Sequence, residues 1–181
     1  MARAFEPERV FHGTPSGVDH VVCAHGGVIA FRRGGSGPTW EPLATSPLHV
    51  VVVDTGAGPD TASMVSAVRA RAEGSPASRE ALDRIGALAE DAVAQVRAGD
   101  LPALGRTLDA AHAALQVAGA STARLDVACA VLREAGCLGA KLSGAGGGGV
   151  AFGLLPDAAA AERVREAVRP LGFPVFSACV G

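Results

Sequence analysis

Three stretches of the chain place bare backbone or polar side chains where they could handle an anion or a proton. Residues 144–149 read Gly-Ala-Gly-Gly-Gly-Gly, preceded by Ser143 and by Lys141, the only lysine in the sequence. A run without side chains lets backbone N–H groups approach an anion closely, so this stretch is a candidate to lie against phosphate. Glycine runs also serve close backbone packing, and the residue types leave those two readings level. The second stretch is His12-Gly13-Thr14-Pro15-Ser16-Gly17-Val18-Asp19-His20. Gly13, Pro15 and Gly17 at alternate positions exclude a regular helix and force a compact turn on which His12, Thr14, Ser16 and Asp19 can converge. On residue type alone an aspartate held there most simply caps the turn. The third is Asp54-Thr55-Gly56 through Thr61, a flexible loop in which Asp60 or Thr61 can cap the helix that follows.

Two familiar glycine motifs do not fit. Gly144, Gly146 and Gly149 satisfy G-x-G-x-x-G, but a dinucleotide site needs a helix directly after the glycines, and Val150 to Leu155 reads as a strand. A Walker loop needs its lysine after the glycines, whereas Lys141 precedes them. The four cysteines, Cys23, Cys129, Cys137 and Cys179, form no Cys-x-x-Cys pair and no His/Cys metal spacing, so reduced thiols are expected. A net charge of −2 offers no electrostatic case for nucleic acid or an anionic membrane. No signal peptide or bilayer-length apolar run is present, and a cytoplasmic location is expected.

These stretches need a scaffold. Val21–Ala24 and Gly27–Arg32 read as short strands or a hairpin, with Val18-Asp19 able to open a short helix capped by Ser16. Arg33–Pro38 is a turn cluster and the expected boundary between two units, 1–40 and 41–181. Leu48–Asp54 is a β-branched run expected to be a strand buried on both faces. Helices follow: one after Thr61 with Met64, Val65 and Val68 inward, one over Ser78–Arg97, one over Leu101–Val117, and one from Ser121 or Thr122 to about Ala135. Strand, glycine run, strand, a helix over Asp157–Val168 and a strand over Phe173–Val180 complete the chain. The order β-α-α-α-α-β-β-α-β predicts an α+β fold of ferredoxin-like type, an antiparallel sheet with helices on one face.

The stretch from Lys141 to Gly149 closely resembles the C-terminal glycine motif of the GHMP kinases. Glu8-Arg9-Val10-Phe11-His12-Gly13-Thr14-Pro15-Ser16-Gly17-Val18-Asp19 resembles the mevalonate kinases within that group. Asp54 to Thr61 with Met64-Val65 and Val68-Arg69, and His112, fit the same pattern in register. The resemblance implies an ATP-dependent phosphorylation of the mevalonate 5-hydroxyl, a step of isoprenoid biosynthesis, with Mg²⁺ required. It implies that Asp19 is the catalytic aspartate and Glu8 the magnesium ligand. His12, Ser16 and Thr61 would bind mevalonate, while Ser143 and the backbone of Gly144, Ala145, Gly146, Gly147, Gly148 and Gly149 would lie beside the nucleotide phosphates. On residue type alone Glu8 is more simply a surface residue, His12 and His112 are structural histidines, and Thr61 competes evenly as a helix cap.

The resemblance is incomplete at one end. The family's Pro-x-x-x-Gly-Leu-Gly-Ser-Ser-Ala loop, which binds ATP phosphates at a helix N-terminus, has no counterpart before Glu8. The 181 residues are therefore expected to be weak or inactive alone and to need a separate N-terminal half, with a homodimer as another partner. A non-catalytic remnant or binding module, or a GHMP kinase for another small molecule, are the competing readings.

Overall fold

The computed structural model describes residues 17–34, 37–56 and 58–181. Its centre is β3 (Leu48–Asp54), the Val50–Val53 run read as a strand. It pairs antiparallel with β5 (Val150–Leu154) on one side and with β6 (Val175–Val180) on the other. β4 (Gly139–Ser143) pairs antiparallel with β5, giving the order β4-β5-β3-β6. This is the strand order of a ferredoxin-like split βαβ sandwich, as expected.

The helices fall where caps and period put them. Asp60 caps α2 (Thr61–Gly74) by accepting from Ser63 N–H at 3.0 Å, so Thr61 is the first helical residue and not the cap. Ser75 caps α3 (Pro76–Ala98), with Pro76 in its first turn, where a missing N–H costs nothing. Gly99, at φ 68°, closes α3 in the left-handed conformation that favours glycine. α4 (Leu101–Ala118), α5 (Ala123–Glu134, capped by Thr122) and α6 (Ala160–Val168) complete the set.

The main core lies between one sheet face and α5 and α6. Val51, Val53, Ala140, Leu142 and Ala151 meet Leu125, Ala128, Cys129, Leu132, Val164 and Val168, all essentially without solvent contact. Among the described residues the other face is covered at one end, where Leu48, Val50 and Leu154 pack with Leu104 and Val96. Val52 and Phe152 are half-buried there and Phe176 is 61% exposed, so the expectation that β3 is buried on both faces holds for one face only. On α2 likewise only Met64 is buried and Val68 packs against the core, while Val65 is half-exposed rather than inward.

Before β3 the chain differs from the sequence reading. Val18–His25 is a helix, α1, with Val21 buried, so Val21–Ala24 is not a strand. A β-branched run follows its surroundings more than its propensity, and Val21 gains burial as a helical residue. Gly17 rather than Ser16 is its cap position, at φ 87°. The hairpin forms one step later, from β1 (Val28–Gly34) and β2 (Gly37–Leu43), turning between Gly34 and Gly37. Arg32 bonds Glu90 of α3 (3.0 and 2.6 Å), and Glu41 receives Arg97 at 2.7 Å, which ties this hairpin to the helices. Those carboxylates hold the Arg32 guanidinium above its ordinary value, Glu90 first.

Candidate functional site

The glycine run connects β4 to β5 at one end of the sheet. All five glycines have positive φ, between 77° and 147°, a conformation that would strain any residue with a Cβ. Space forbids a side chain as well. A Cβ on Gly146 would fall 2.0 Å from the Ala120 carbonyl oxygen, and one on Gly147 would fall 2.6 Å from Met64 Sδ. Gly58, across from them, would meet the Gly147 carbonyl at 2.6 Å. Close backbone packing is thus one reason for the glycines.

Hydrogen bonds fix the run at two points. Gly147 N–H donates to Ala120 O (2.8 Å) and Gly149 N–H donates to Gly56 O (2.6 Å). Gly149 O accepts from both the N–H (2.7 Å) and the hydroxyl (2.8 Å) of Thr55, which is buried. Gly56 N–H in turn donates to Asp54 Oδ1 at 2.8 Å. The start of the Asp54–Thr61 loop, expected to be flexible, is therefore a built clamp on the glycine run. Ala120 is the residue that sequence reasoning missed as part of this site, and Thr55 was placed only in a loop expected to be flexible. A threonine at a strand end and an alanine in a helix connection carry no signal of their own.

Among the described residues, no carbonyl takes the N–H groups of Gly144, Ala145 and Gly148. These residues line a cleft of about 360 Å³, together with Gly146, Gly149, Gly58, Pro59, Thr61, Ser143 and Val150. Thr61 stands at the N-terminus of α2, whose first amides carry a partial positive charge. Bare amides, the Ser143 hydroxyl and a helix start together form a cradle of neutral donors suited to phosphate oxygens. Among the described residues no charged side chain lines it. Asp60, at its edge, is held below the ordinary carboxylate range by the Ser63 hydroxyl and N–H.

The candidate residues divide as follows. Thr61, Ser143, Gly144, Ala145, Gly146, Gly148 and Gly149 share the cleft, while Gly147 lies behind it against Met64 and Pro59. Asp19 is exposed in the first turn of α1 and is not among the lining residues. Glu8, His12 and Ser16 lie outside the described residues. Among the described residues no three His, Cys, Asp or Glu side chains converge as metal ligands. Lys141 turns away from the cleft: its Nζ donates to Leu142 O at 2.7 Å and lies 5.4 Å from the Phe152 ring centre. Burial pushes its ammonium pKa down. His112 is buried, and burial likewise pushes its pKa down despite the Asp126 carboxylate.

Residues 77–172, over half of the chain, match the family model described as GHMP kinases C terminal. The chain belongs to the GHMP kinase family. Among curated relatives, the mevalonate kinase of Aeropyrum pernix is 35% identical over 178 residues, covering 98% of this chain and 54% of its own length. That of Arabidopsis thaliana is 29% identical, covering 98% of this chain and 48% of its own length. Among solved structures, L. major mevalonate kinase in complex with R-mevalonate superposes with a TM-score of 0.89 at 30% identity, covering 96% of this chain and 55% of that one. Lactococcus lactis galactokinase, at 18% identity and a TM-score of 0.65, shares the fold. This GHMP kinase chain spans about half the length of the relatives it matches. No helix among its described residues is long and apolar enough to cross a membrane.

Proposed function

We propose that the chain is the acceptor-side and C-terminal part of a mevalonate kinase-like phosphotransferase that moves the γ-phosphoryl group of ATP to the 5-hydroxyl of mevalonate. The observation that carries this reading is the glycine-walled cleft, where bare amides, Ser143 and the start of α2 meet. Its likeness to mevalonate kinases supplies the acceptor. In this reading residues 1–40 carry the acceptor loop and 41–181 form the C-terminal domain.

The residues then take these roles. Asp19 accepts the hydroxyl proton as the oxygen attacks the γ-phosphorus, the new O–P bond forms and the bond to the β-phosphate oxygen breaks, releasing ADP. His12, Ser16 and Thr61 orient mevalonate. Ser143 and the amides of Gly144, Ala145 and Gly148 hold phosphate oxygens, and Gly147 with Gly149 spends its N–H groups on keeping that wall rigid. Mg²⁺, when bound, neutralises phosphate charge, with Glu8 as its ligand from this chain. In this reading the charge compensation that the neutral donors of the described lining do not give comes from the metal ion and from a second protein wall. A separate N-terminal half is the partner this reading asks for.

Amide NMR tests the cleft directly. Titration with MgATP, and separately with tripolyphosphate, is expected to shift Gly144, Ala145 and Gly148 most, with affinity in the millimolar range typical of a few neutral donors, about −4 kcal/mol. Shifts spread over the surface, or none at these amides, would refute the phosphate assignment. Phosphate shifts with no transfer under any partner would favour the binding-module reading.

A further inference from the structure

β4 is an edge strand, with β5 on one side and α4 along the other. Alternate N–H groups of such a strand point away from its sheet and need other acceptors. α4 supplies two. Ala140 N–H donates to Asp109 Oδ1 at 2.9 Å, and Leu142 N–H donates to His112 Nδ1 at 3.4 Å. Asp109 and His112 are three residues apart and so lie on one helix face. The next amide in the alternation belongs to Gly144, the first residue of the glycine run, which lines the cleft.

His112 also reaches the other side of the loop. Its Nε2 stands 3.2 Å from Asp126 Oδ1, an oblique approach in which the carboxylate attracts the Nε2–H dipole without an aligned hydrogen bond. Asp126 Oδ1 accepts from Ser121 Oγ at 2.5 Å. Ser121 follows Ala120, whose carbonyl holds Gly147 N–H. One imidazole therefore joins the stem of the glycine run to the segment that clamps its middle. Accepting at Nδ1 requires the ring to be neutral with its proton on Nε2, the tautomer that Asp126 favours.

We propose that His112 is a positioning residue for the glycine run, its neutral Nδ1 fixing the end of β4 so that Gly144 onward is presented in one conformation. The role in phosphate binding rests on the proposed function, whereas the order of the loop does not. The groups facing the ring are Asp126, Arg133 and Cys129 from α5 and Lys141 from β4, with Asp109 beside it on α4. Cys129, 3.8 Å from Nδ1, has its thiol pushed up to about 12 by burial and stays uncharged. Protonating the ring would turn Nδ1 into a donor facing another donor, Leu142 N–H, and release the stem.

Amide hydrogen exchange on the full chain without ligand tests this, after correction for intrinsic rates. His112→Leu is expected to speed exchange across residues 142–149 about tenfold, with α6 and β6 unchanged. His112→Gln, which keeps an acceptor and a donor, should restore wild-type rates. Wild-type loop protection should fall as pH drops below the ordinary histidine range, and His112→Gln should abolish that step. Unchanged loop exchange in His112→Leu, or equal acceleration throughout the chain, would overturn the proposal. If His112→Leu fails to fold, the pH comparison decides, and matching profiles for wild type and His112→Gln would overturn it. Expected exchange behaviour without phosphate shifts at Gly144, Ala145 and Gly148 would instead refute the phosphate reading and leave the positioning role standing.

Discussion

At the scale of residues, the site depends on groups whose replacement has a calculable sign. Gly146 sits at φ 85° with a Cβ position 2.0 Å from Ala120 O, so Gly146→Ala must move the loop or the α4–α5 connection. A destabilisation of about 2 kcal/mol is expected, measured by denaturant unfolding. An unchanged midpoint would show that the run is looser than described. His112 gives the pH term. Burial holds its folded pKa below the ordinary value, so the unfolded chain binds more protons as pH falls. The stability it contributes is complete above about pH 6.5 and is lost as pH falls from there toward the folded pKa. Unfolding free energies at pH 7 and pH 5 should differ more for wild type than for His112→Gln. Asp60 and Glu90, whose carboxyls are held low and exposed, act only at more acid pH.

At the scale of elements, glycines with the same helical address have opposite expected effects. Gly86 in α3 has nothing within 4 Å of its Cβ position, so Gly86→Ala should stabilise the protein by about 0.5–1 kcal/mol. Gly105 in α4 crosses β4 so closely that a Cβ would lie 2.1 Å from Leu138 O, and Gly105→Ala should destabilise by more than that gain. Paired thermal melts decide, and equal shifts of one sign would contradict the described crossing. Much of this layer was legible in the residues. Ser75-Pro76, Gly99-Asp100 and Thr122 carry cap chemistry that acts locally, so the helix ends fell within a few residues. Val21–Ala24 was not legible, because an apolar β-branched run reads the same in a helix as in a strand until its neighbours are known. The exposure of Phe176 was hidden for a related reason: alternation tells which residues share a sheet face and is silent on whether anything covers that face. The glycine run was legible as a turn near phosphate, whereas its clamps, Thr55 and the Ala120 carbonyl, come from chain segments that only the fold brings together.

At the scale of the whole molecule, the chain presents a ferredoxin-like domain with one well-built cleft wall of neutral donors and an exposed aspartate on α1 outside it. It spans about half the length of the mevalonate kinases it matches, and the cleft lining among the described residues is uncharged. The proposed activity then requires a second wall, and this can be supplied. The direct measurement is transfer of label from γ-labelled ATP to mevalonate in the presence of Mg²⁺, with this chain mixed with the preceding segment of the Aeropyrum pernix mevalonate kinase. The account predicts labelled 5-phosphomevalonate with the wild-type chain and a loss of about a hundredfold or more with Asp19→Asn. Equal transfer by wild type and Asp19→Asn, or no transfer to mevalonate by the mixture, would contradict it.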